Sequence, residues 1–154
     1  MVAEGKPAPD FELKTDTGET VKLSALKGQP VVLYFYPKDD TPGCTTQACG
    51  IRDAYQEFRD RGALVFGISA DDEASHQRFK EKYELPFTLL ADTDRQAIEA
   101  YDVWKERSMY GKTFMGIERS TFVVDKDGNL AKELRKVKPA EHADQVLKVL
   151  DSLQ

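Results

Sequence analysis

The amino-acid sequence predicts an α/β sandwich with a mixed central sheet, and three observations carry that prediction. Two continuous apolar runs, Val31–Tyr36 and Ala63–Ser69, have the character of strands that are buried on both faces. The segment between them has helical periodicity, and strand–helix–strand units form parallel sheets. Near the C-terminus, Thr121–Val124 and residues 130–137 flank the turn Asp125–Gly128, which predicts an antiparallel hairpin.

The elements at the N-terminal end begin with a hairpin. Residues 10–23 contain two short extended segments around Asp16–Glu19, and Ser24–Gly28 form a helical turn that glycine ends. After the first buried strand, the helical pattern covers residues 44–61, and a glycine follows it. The N-terminal hairpin is therefore an extension of the sandwich.

The remaining elements complete the order. Asp71 and Asp72 precede a polar helix that runs to about Tyr83, and Phe87–Leu90 is a short strand. Asp94 is placed to cap a helix that runs to about residue 101. Residues 102–117 are the least regular part of the chain, and Pro139 starts a final helix with one apolar face. This order is that of a thioredoxin-like α/β sandwich with a mixed central sheet and an N-terminal hairpin extension.

The composition of the chain bounds its class of function. Its 154 residues, 40% of them hydrophobic, are enough for one core, so residues 1–154 are expected to form a single domain. The net charge of −5 gives no electrostatic reason to expect nucleic acid or an anionic membrane as a partner. No apolar run approaches the roughly 20 residues that cross a bilayer, and the N-terminus lacks the apolar core of a signal peptide. A cytoplasmic location is therefore expected.

Two cysteines, five residues apart, are the most informative feature. Cys44 and Cys49 are the only thiols of the chain, and they lie where the first buried strand gives way to a helix. A helix N-terminus favours negative charge and therefore the thiolate form of a cysteine. In a reducing compartment such a pair is catalytic, redox-sensing or inert. A structural disulfide across so short a loop would constrain the unfolded chain little.

The two thiols face different sides of the predicted helix. At about 100° per residue, Cys44 falls on the apolar stripe that contains Ile51 and Phe58, while Cys49 lies about 140° round the helix, toward its polar side. On an intact helix, Cα atoms five residues apart are separated by about 8–9 Å. A disulfide needs a separation of roughly 4.4–6.8 Å. A bond between the two cysteines would therefore require the first turns of the helix to unwind.

The residues around the cysteines resemble the active site of peroxiredoxins. Residues 37–53, with the sequence PKDDTPGCTTQACGIRD, closely resemble the bacterioferritin-comigratory-protein subfamily, also called PrxQ. The resemblance spans nearly the whole chain, through the segments 5–11, 24–28, 67–69, 90–92, 110–112 and 118–128. It implies thiol-dependent reduction of hydrogen peroxide and organic hydroperoxides, without a metal, haem or flavin.

By matching position, the resemblance gives each cysteine a role. It makes Cys44 the peroxidatic cysteine, whose thiolate attacks the peroxide and becomes a sulfenic acid. It makes Cys49 the resolving cysteine, which condenses with that sulfenic acid to an intramolecular disulfide. Thioredoxin or a similar dithiol would then restore both thiols. The chain lacks the motifs of the overoxidation-sensitive dimeric peroxiredoxins, so the resemblance implies a monomer or a weak dimer.

The resemblance also extends to other groups of the active site. Thr41 supplies a hydroxyl that can bind the thiolate and orient the peroxide, and Pro37 provides a rigid apolar edge. Arg119 supplies a fixed cation for the thiolate and for the leaving oxygen. The backbone N–H groups of Gly43 and Cys44 are candidate donors to the peroxide.

The neighbouring polar residues are expected to have lesser roles. Gln47 stands where many peroxiredoxins have glutamate, so an amide contact is expected in place of a Glu–Arg pair. Asp39 and Asp40 are expected to face solvent, where their charge is screened. His76 and His142, on polar helical stretches, are expected to be solvated, without metal-ligand spacing to either cysteine.

The irregular segment 102–117 is rich in large apolar side chains. Trp104, Tyr110, Phe114 and Met115 are expected to pack in the core or at its rim. A less favoured interpretation has some of them lining an apolar collar that admits organic hydroperoxides. A cofactor site is not expected here.

Two other classes of function compete with a peroxidase. A general thiol–disulfide oxidoreductase or redox sensor would use the same fold, although the absence of a Cys-x-x-Cys motif counts against a reductase. A non-catalytic thioredoxin-like binding module would tolerate changes at Thr41 and Arg119. The pattern of Pro37, Thr41 and Cys44 across a strand, turn and helix favours the peroxidase.

Overall fold

The computed structural model describes residues 2–153, apart from the side chain of Met109, and this part of the chain contains nine strands and five α-helices. The strands are β1 (Glu12–Thr15), β2 (Thr20–Lys22), β3 (Val31–Phe35), β4 (Leu64–Ser69), β5 (Thr88–Ala91), β6 (Trp104–Met109), β7 (Lys112–Ile117), β8 (Ser120–Val124) and β9 (Leu130–Leu134). The helices are α1 (Pro42–Asp53), α2 (Tyr55–Asp60), α3 (Glu73–Tyr83), α4 (Gln96–Ala100) and α5 (His142–Ser152), with 3₁₀ turns at Leu23–Leu26 and Pro139–Glu141. Within the described range, none of the helices has the length and apolar character needed to cross a membrane.

Seven of the strands form one mixed sheet, which confirms the predicted fold class. Their order is β2-β1-β5-β4-β3-β8-β9. The central strands β3, β4 and β5 run parallel because helices connect them, and the outer strands pair antiparallel. The N-terminal hairpin joins the sheet through the pairing of β1 with β5, as an extension at one edge.

The side chains of β3 alternate between two cores, as the period of a strand requires. Val31, Leu33 and Phe35 belong to the core on one face, to which α4 contributes. Val32 and Tyr34 belong to the core on the other face, to which α1, α3 and α5 contribute. All five residues of β3 are buried, as the continuous apolar run predicts. The second face carries α1 and hence both cysteines.

A glycine in β4 allows an aromatic ring to lie close to the sheet beneath α1. A Cβ atom at Gly67 would be 2.7 Å from the hydroxyl oxygen of Tyr34 and 2.9 Å from a methyl carbon of Leu89. No real Cβ atom fits at such distances, so this position requires glycine for packing.

The helix that carries the cysteines is broken in two, whereas the sequence predicts one helix over residues 44–61. α1 ends at Asp53, and Ala54 (φ −100°, ψ 9°) separates it from α2. Alanine favours helix, so local propensity gives no sign of this break. Ile51 in α1 and Phe58 in α2 are both fully buried. The predicted apolar stripe is therefore buried in the same core on both sides of the break.

Residues 102–117 contain a regular hairpin, which corrects the prediction of an irregular segment. β6 and β7 pair antiparallel over their whole length and form a separate two-stranded sheet. Tyr110 and Gly111, between them, both have positive φ, of 53° and 76°, as a type I′ turn requires. The Tyr-Gly pair between two extended segments is the sequence signal for this turn.

The hairpin exposes most of its large apolar side chains. Tyr110 is 96% exposed, and Phe114 and Met115 are 45% and 49% exposed. The expectation that these three side chains pack in the core or at its rim is therefore wrong. Trp104, at the base of the hairpin, does pack against the core, and the Arg95 guanidinium lies 4.5 Å from its ring.

Asp92 caps α4, whereas the sequence predicts Asp94. The Asp92 carboxylate is buried and accepts hydrogen bonds from the backbone N–H groups of Gln96 (2.7 Å) and Ile98 (2.8 Å). Arg95 has a left-handed conformation, with φ 59°, and this turns the start of the helix back toward Asp92. Sequence position alone favours the aspartate that lies nearer to the helix.

The cap can be tested by comparing two aspartate variants. Asp92→Ala is expected to lower the free energy of unfolding by about 2 kcal/mol, because two helix N–H groups lose an ionised acceptor. Asp94→Ala, at an exposed position, is expected to change it by less than about 0.5 kcal/mol. Urea unfolding followed by circular dichroism measures both values. Equal destabilisation by the two variants would contradict the assignment of the cap.

Candidate active site

Two distant segments of the chain meet at one edge of the sheet. β3 ends at Phe35, and the active-site loop (residues 37–41) leads from it to α1. β8 pairs with β3 so that Ser120 lies opposite Phe35. Arg119, the residue before β8, therefore lies beside the active-site loop, although it is 75 residues from Cys44 in the sequence.

The sulfur of Cys44 lies against a fixed positive charge. Cys44 is the third residue of α1, is 1% exposed, and faces the core as the helical angle predicts. The Nη2 group of Arg119 donates a hydrogen bond to Cys44 Sγ over 3.3 Å. A cation at this distance can stabilise negative charge that develops at the sulfur and on a group bound to it.

Arg119 is held in place by the first turns of α1. Its Nη1 group donates to Oε1 of the buried Gln47, 2.6 Å away, which is the amide contact expected at that position. Gly43 leaves room for the guanidinium, because a Cβ atom there would lie 3.1 Å from Nη2. The helix that carries the thiol therefore also positions the cation that contacts it.

The N-terminus of α1 offers backbone donors to a ligand. Pro42 is the first helical residue and has no N–H, so Gly43 and Cys44 supply the first two N–H groups. Such groups have no acceptor inside the helix. Thr41 occupies the N-cap position, but its side chain makes no capping hydrogen bond to them. These N–H groups can therefore donate to a molecule bound at the thiol.

The Thr41 hydroxyl donates within the active-site loop. Its partner is the carbonyl oxygen of Lys38, 2.9 Å away, and not the sulfur of Cys44 that the sequence suggests. A hydroxyl group that donates one hydrogen bond can still accept another. Thr41 Oγ1 can therefore accept a hydrogen bond from the O–H group of a bound peroxide. Pro37 is half-buried and begins the loop directly after the buried Tyr36.

Cys49 lies on the same continuous helix and is half-buried, on a different side from Cys44. Both cysteines are free thiols in this structure. Because α1 is unbroken from Pro42 to Asp53, it holds their Cα atoms about 8–9 Å apart. That separation is too long for a disulfide. The structure therefore presents the thiol pair with the helix intact.

Comparison with known proteins shows the family of the chain. The AhpC/TSA family profile matches residues 4–133. The chain belongs to the AhpC/TSA family. It is 54% identical to Peroxiredoxin Bcp of Bacillus subtilis (strain 168) over 149 residues, which cover 97% of this chain and 95% of that protein.

Solved structures agree with this assignment. Peroxiredoxin Q of Xanthomonas campestris superposes with a TM-score of 0.88 and 43% identity, covering 92% of this chain and 90% of that one. A structure of the bacterioferritin comigratory protein of Xanthomonas campestris, studied for its alkyl peroxide reduction activity, gives a TM-score of 0.87 and 42% identity over the same shares. The resemblance inferred from the sequence is thus confirmed. The chain is a peroxiredoxin of the Bcp/PrxQ type, which is a thiol-dependent peroxidase.

The two aspartates of the active-site loop differ in exposure. Asp40 is exposed, as expected, and hydrogen bonds from Lys82 and Tyr83 lower the pKa of its carboxyl group. Asp39 is buried, which corrects the expectation that it faces solvent. Its carboxylate lies against α3, whose side chains hydrogen-bond to it. These partners are 36 and 37 residues away, so local sequence could not indicate them.

Both histidines of the peroxiredoxin are fully buried, although the sequence predicts them to be solvated. The His142 ring lies 5.5 Å from the Tyr34 ring, and its Nε2 is 2.6 Å from the Thr121 hydroxyl oxygen. Burial, and then the charge of Arg119, lower the pKa of His142 to about 3, so this ring is neutral. Each histidine is spaced three or four residues from a buried apolar residue on its helix, which is the signal that sequence analysis could have used.

One group of side chains in the described part of the chain has a spacing that could hold a metal ion. Donor atoms of Asp39, Asp71 and His76 lie within 4.8 Å of one another. However, His76 Nδ1 is at hydrogen-bond distance from Asp39 Oδ2 (2.7 Å), and Asp71 Oδ2 accepts from the Asp39 N–H. The group therefore forms an internal hydrogen-bond network.

Proposed function

We propose that Cys44 is the peroxidatic cysteine of this enzyme. The observation that carries the proposal is the 3.3 Å contact between Arg119 Nη2 and Cys44 Sγ at the N-terminus of α1. The thiolate sulfur attacks the O–H oxygen of the peroxide, and the O–O bond breaks. That oxygen stays with its hydrogen on the sulfur, which becomes a sulfenic acid. The other oxygen takes a proton and leaves as water or an alcohol.

The groups around the sulfur stabilise this step. Arg119 faces the negative charge as it moves from the sulfur to the leaving oxygen. The N–H groups of Gly43 and Cys44 can donate hydrogen bonds to the peroxide, and the Thr41 hydroxyl oxygen can accept one from the peroxide O–H group. Together these contacts align the O–O bond with the sulfur. Pro37 forms the apolar side of the site and limits the access of water.

We assign the resolving role to Cys49. Its thiolate attacks the sulfur of the Cys44 sulfenic acid, and the hydroxide that leaves takes a proton to form water. Three observations support this assignment: Cys49 is the only other thiol of the sequence, it lies five residues from Cys44, and it is half-buried. Since the intact helix holds the two residues too far apart, the segment between them must unwind before the disulfide forms.

Hydrogen peroxide and organic hydroperoxides are the proposed substrates. Cys44 is only 1% exposed, which favours the small O–O–H group of a hydroperoxide over a bulky oxidant. The alkyl peroxide reduction activity of the Xanthomonas campestris relative supports the organic substrates. Thioredoxin or a similar dithiol is the proposed reductant. We also propose that residues 1–154 act as one cytoplasmic domain, as a monomer or weak dimer, without a metal, haem or flavin.

Oxidation of the reduced protein by one equivalent of hydrogen peroxide tests the two-cysteine mechanism. Trypsin releases the peptide 39–52, which contains both cysteines, and we expect this peptide to lose two hydrogens. The helical circular dichroism signal should fall on oxidation and recover with dithiothreitol, because α1 must unwind to form the disulfide and re-forms when it is reduced.

Cys49→Ser is the matched control for this experiment. It should retain the attack step, so its peptide should gain one oxygen without a loss of hydrogens and without a loss of helix signal. A wild-type peptide that gains oxygen but never loses hydrogens would contradict the role of Cys49. Reaction of Cys44 no faster than a free thiol would instead favour a general thiol–disulfide oxidoreductase.

A further inference from the structure

A buried hydrogen-bond network lies beneath the active-site loop and centres on Asp39. The Asp39 carboxylate accepts two hydrogen bonds, from the Tyr36 hydroxyl (2.5 Å) and the Ser75 hydroxyl (2.8 Å), and its Oδ2 lies at hydrogen-bond distance from His76 Nδ1 (2.7 Å). The backbone N–H of Asp39 donates to Asp71 (2.8 Å). The loop is therefore joined to the end of β3, to α3 and to the segment after β4 through one residue.

The partners of the His76 ring determine its protonation. Nδ1 faces the Asp39 carboxylate, and Nε2 lies 2.9 Å from the backbone carbonyl oxygen of Leu90. A carbonyl oxygen can only accept, so Nε2 carries a proton. Two hydroxyls donate to the Asp39 carboxylate, which leaves Oδ2 able to accept from Nδ1 as well. The raised pKa of His76 agrees with a proton on that nitrogen. Both ring nitrogens donate only in the imidazolium form.

The surroundings of His76 agree with a buried ion pair. His76 is fully buried and Asp39 nearly so. The titratable groups that face the ring are Tyr36, which directly follows β3, Asp39 from the active-site loop and Asp71 from the segment after β4. β5 presents the carbonyl of Leu90. Burial acts to lower the pKa of His76, but the hydrogen bond and charge of Asp39, with smaller contributions from Leu90 and Asp71, raise it overall.

We propose that His76 is a positioning residue for the attack of Cys44 on peroxide: as a buried imidazolium it holds Asp39, and through Asp39 it fixes the loop that carries Thr41 and starts α1. Two residues of chain separate Asp39 from Pro42, so a shift of Asp39 would move the N-terminus of α1 relative to Arg119. Small displacements of reacting groups have large effects on rate. This inference rests on the proposed role of Cys44.

The ion pair makes the position of the loop dependent on pH. The folded pKa of His76 lies above the ordinary value of 6.5, so the stabilising contribution is complete below about pH 6.5 and is lost as the pH rises through the folded pKa. The interaction of His76 with Asp39 therefore weakens as the pH rises above the folded pKa of His76.

Nitrogen-15 NMR of the histidine rings tests the charge state directly. The chain contains two histidines, so His142 serves as an internal control. In the reduced wild-type protein at pH 6.5, both His76 nitrogens should carry protons, while the His142 ring should be neutral with one protonated nitrogen. His76→Asn assigns the signals by removing one set. A His76 ring with a single protonated nitrogen under these conditions would overturn the proposal.

The rate constant of Cys44 with hydrogen peroxide tests the positioning role. His76→Asn keeps an N–H group that can reach Asp39 but removes the charge, and it should lower the rate constant about tenfold at pH 6.5. Arg78→Asn is the matched control, because it removes a cation from an exposed position of the same helix and introduces the same residue. It should stay within about twofold of wild type.

The ratio of the wild-type to the His76→Asn rate constant separates positioning from a general structural defect. Any pH dependence of the Cys44 thiol is common to both proteins and cancels in this ratio. The ratio should therefore fall as the pH rises, because the wild-type protein loses the ion pair that the variant already lacks. A ratio near one, or one that does not change with pH, would overturn the inference. If instead Cys44→Ser reacts at the wild-type rate, the proposed function fails, while the NMR result on His76 remains a separate outcome.

Discussion

Cys44→Ser is expected to abolish peroxide reduction by this peroxiredoxin. A serine hydroxyl is a far weaker nucleophile than a cysteine sulfur, and it would replace the buried sulfur that the Arg119 guanidinium contacts. Loss of the nucleophile should lower the rate of peroxide consumption on the order of 10⁴-fold or more. NADPH oxidation in the presence of hydrogen peroxide, thioredoxin and thioredoxin reductase measures this loss.

Cys49→Ser again provides the control, because it removes the other thiol of the same helix. This variant should complete one rapid turnover and then slow, as the Cys44 sulfenic acid accumulates without its internal partner. Wild-type activity in Cys44→Ser would show that the peroxidatic assignment is wrong. A wild-type protein that consumes no peroxide at all would instead indicate a thioredoxin-like binding module.

Arg119→Met is expected to have the second largest effect, a loss of about 10²–10³-fold in the rate of Cys44 oxidation. The variant keeps the length of the side chain but removes the donor to Cys44 Sγ and the charge that faces the leaving oxygen. Quenched reaction with hydrogen peroxide, followed by mass spectrometry of the peptide 39–52, measures this rate. Arg61→Met, which removes a cation paired with Asp151 between α2 and α5, should leave the rate within about twofold.

A pair of glycine variants tests the position of the guanidinium without changing its charge. Gly43→Ala places a methyl group 3.1 Å from the Nη2 position and should displace Arg119 from the sulfur, with about a tenfold loss of rate. Gly50→Ala adds the same methyl group to the same helix, where no atom lies within 4 Å, and should leave the attack step unchanged. Equal rates for the two variants, or full activity in Arg119→Met, would contradict the role of Arg119.

The sequence by itself determined the fold class and the geometry of the thiol pair. Continuous apolar runs and helical periodicity are local properties, so they predict the central strands and the order of elements along the chain without knowledge of contacts. The direction of Cys44 into the core, and the separation that prevents a disulfide on an intact helix, follow from helix geometry alone. The same local signals placed Pro37, Thr41 and Gly43 around the start of α1.

The tertiary structure alone decided which polar side chains are buried and which neighbours position the site. Asp39 and His76 look like solvated residues in the sequence, yet they form a buried pair across 37 residues. Arg119 approaches Cys44 because β8 pairs with β3, and the break at Ala54 and the cap at Asp92 depend on packing and on one left-handed residue. The physical reason is that burial of a charged or polar group is favourable only with partners, and distant segments of the chain bring those partners together.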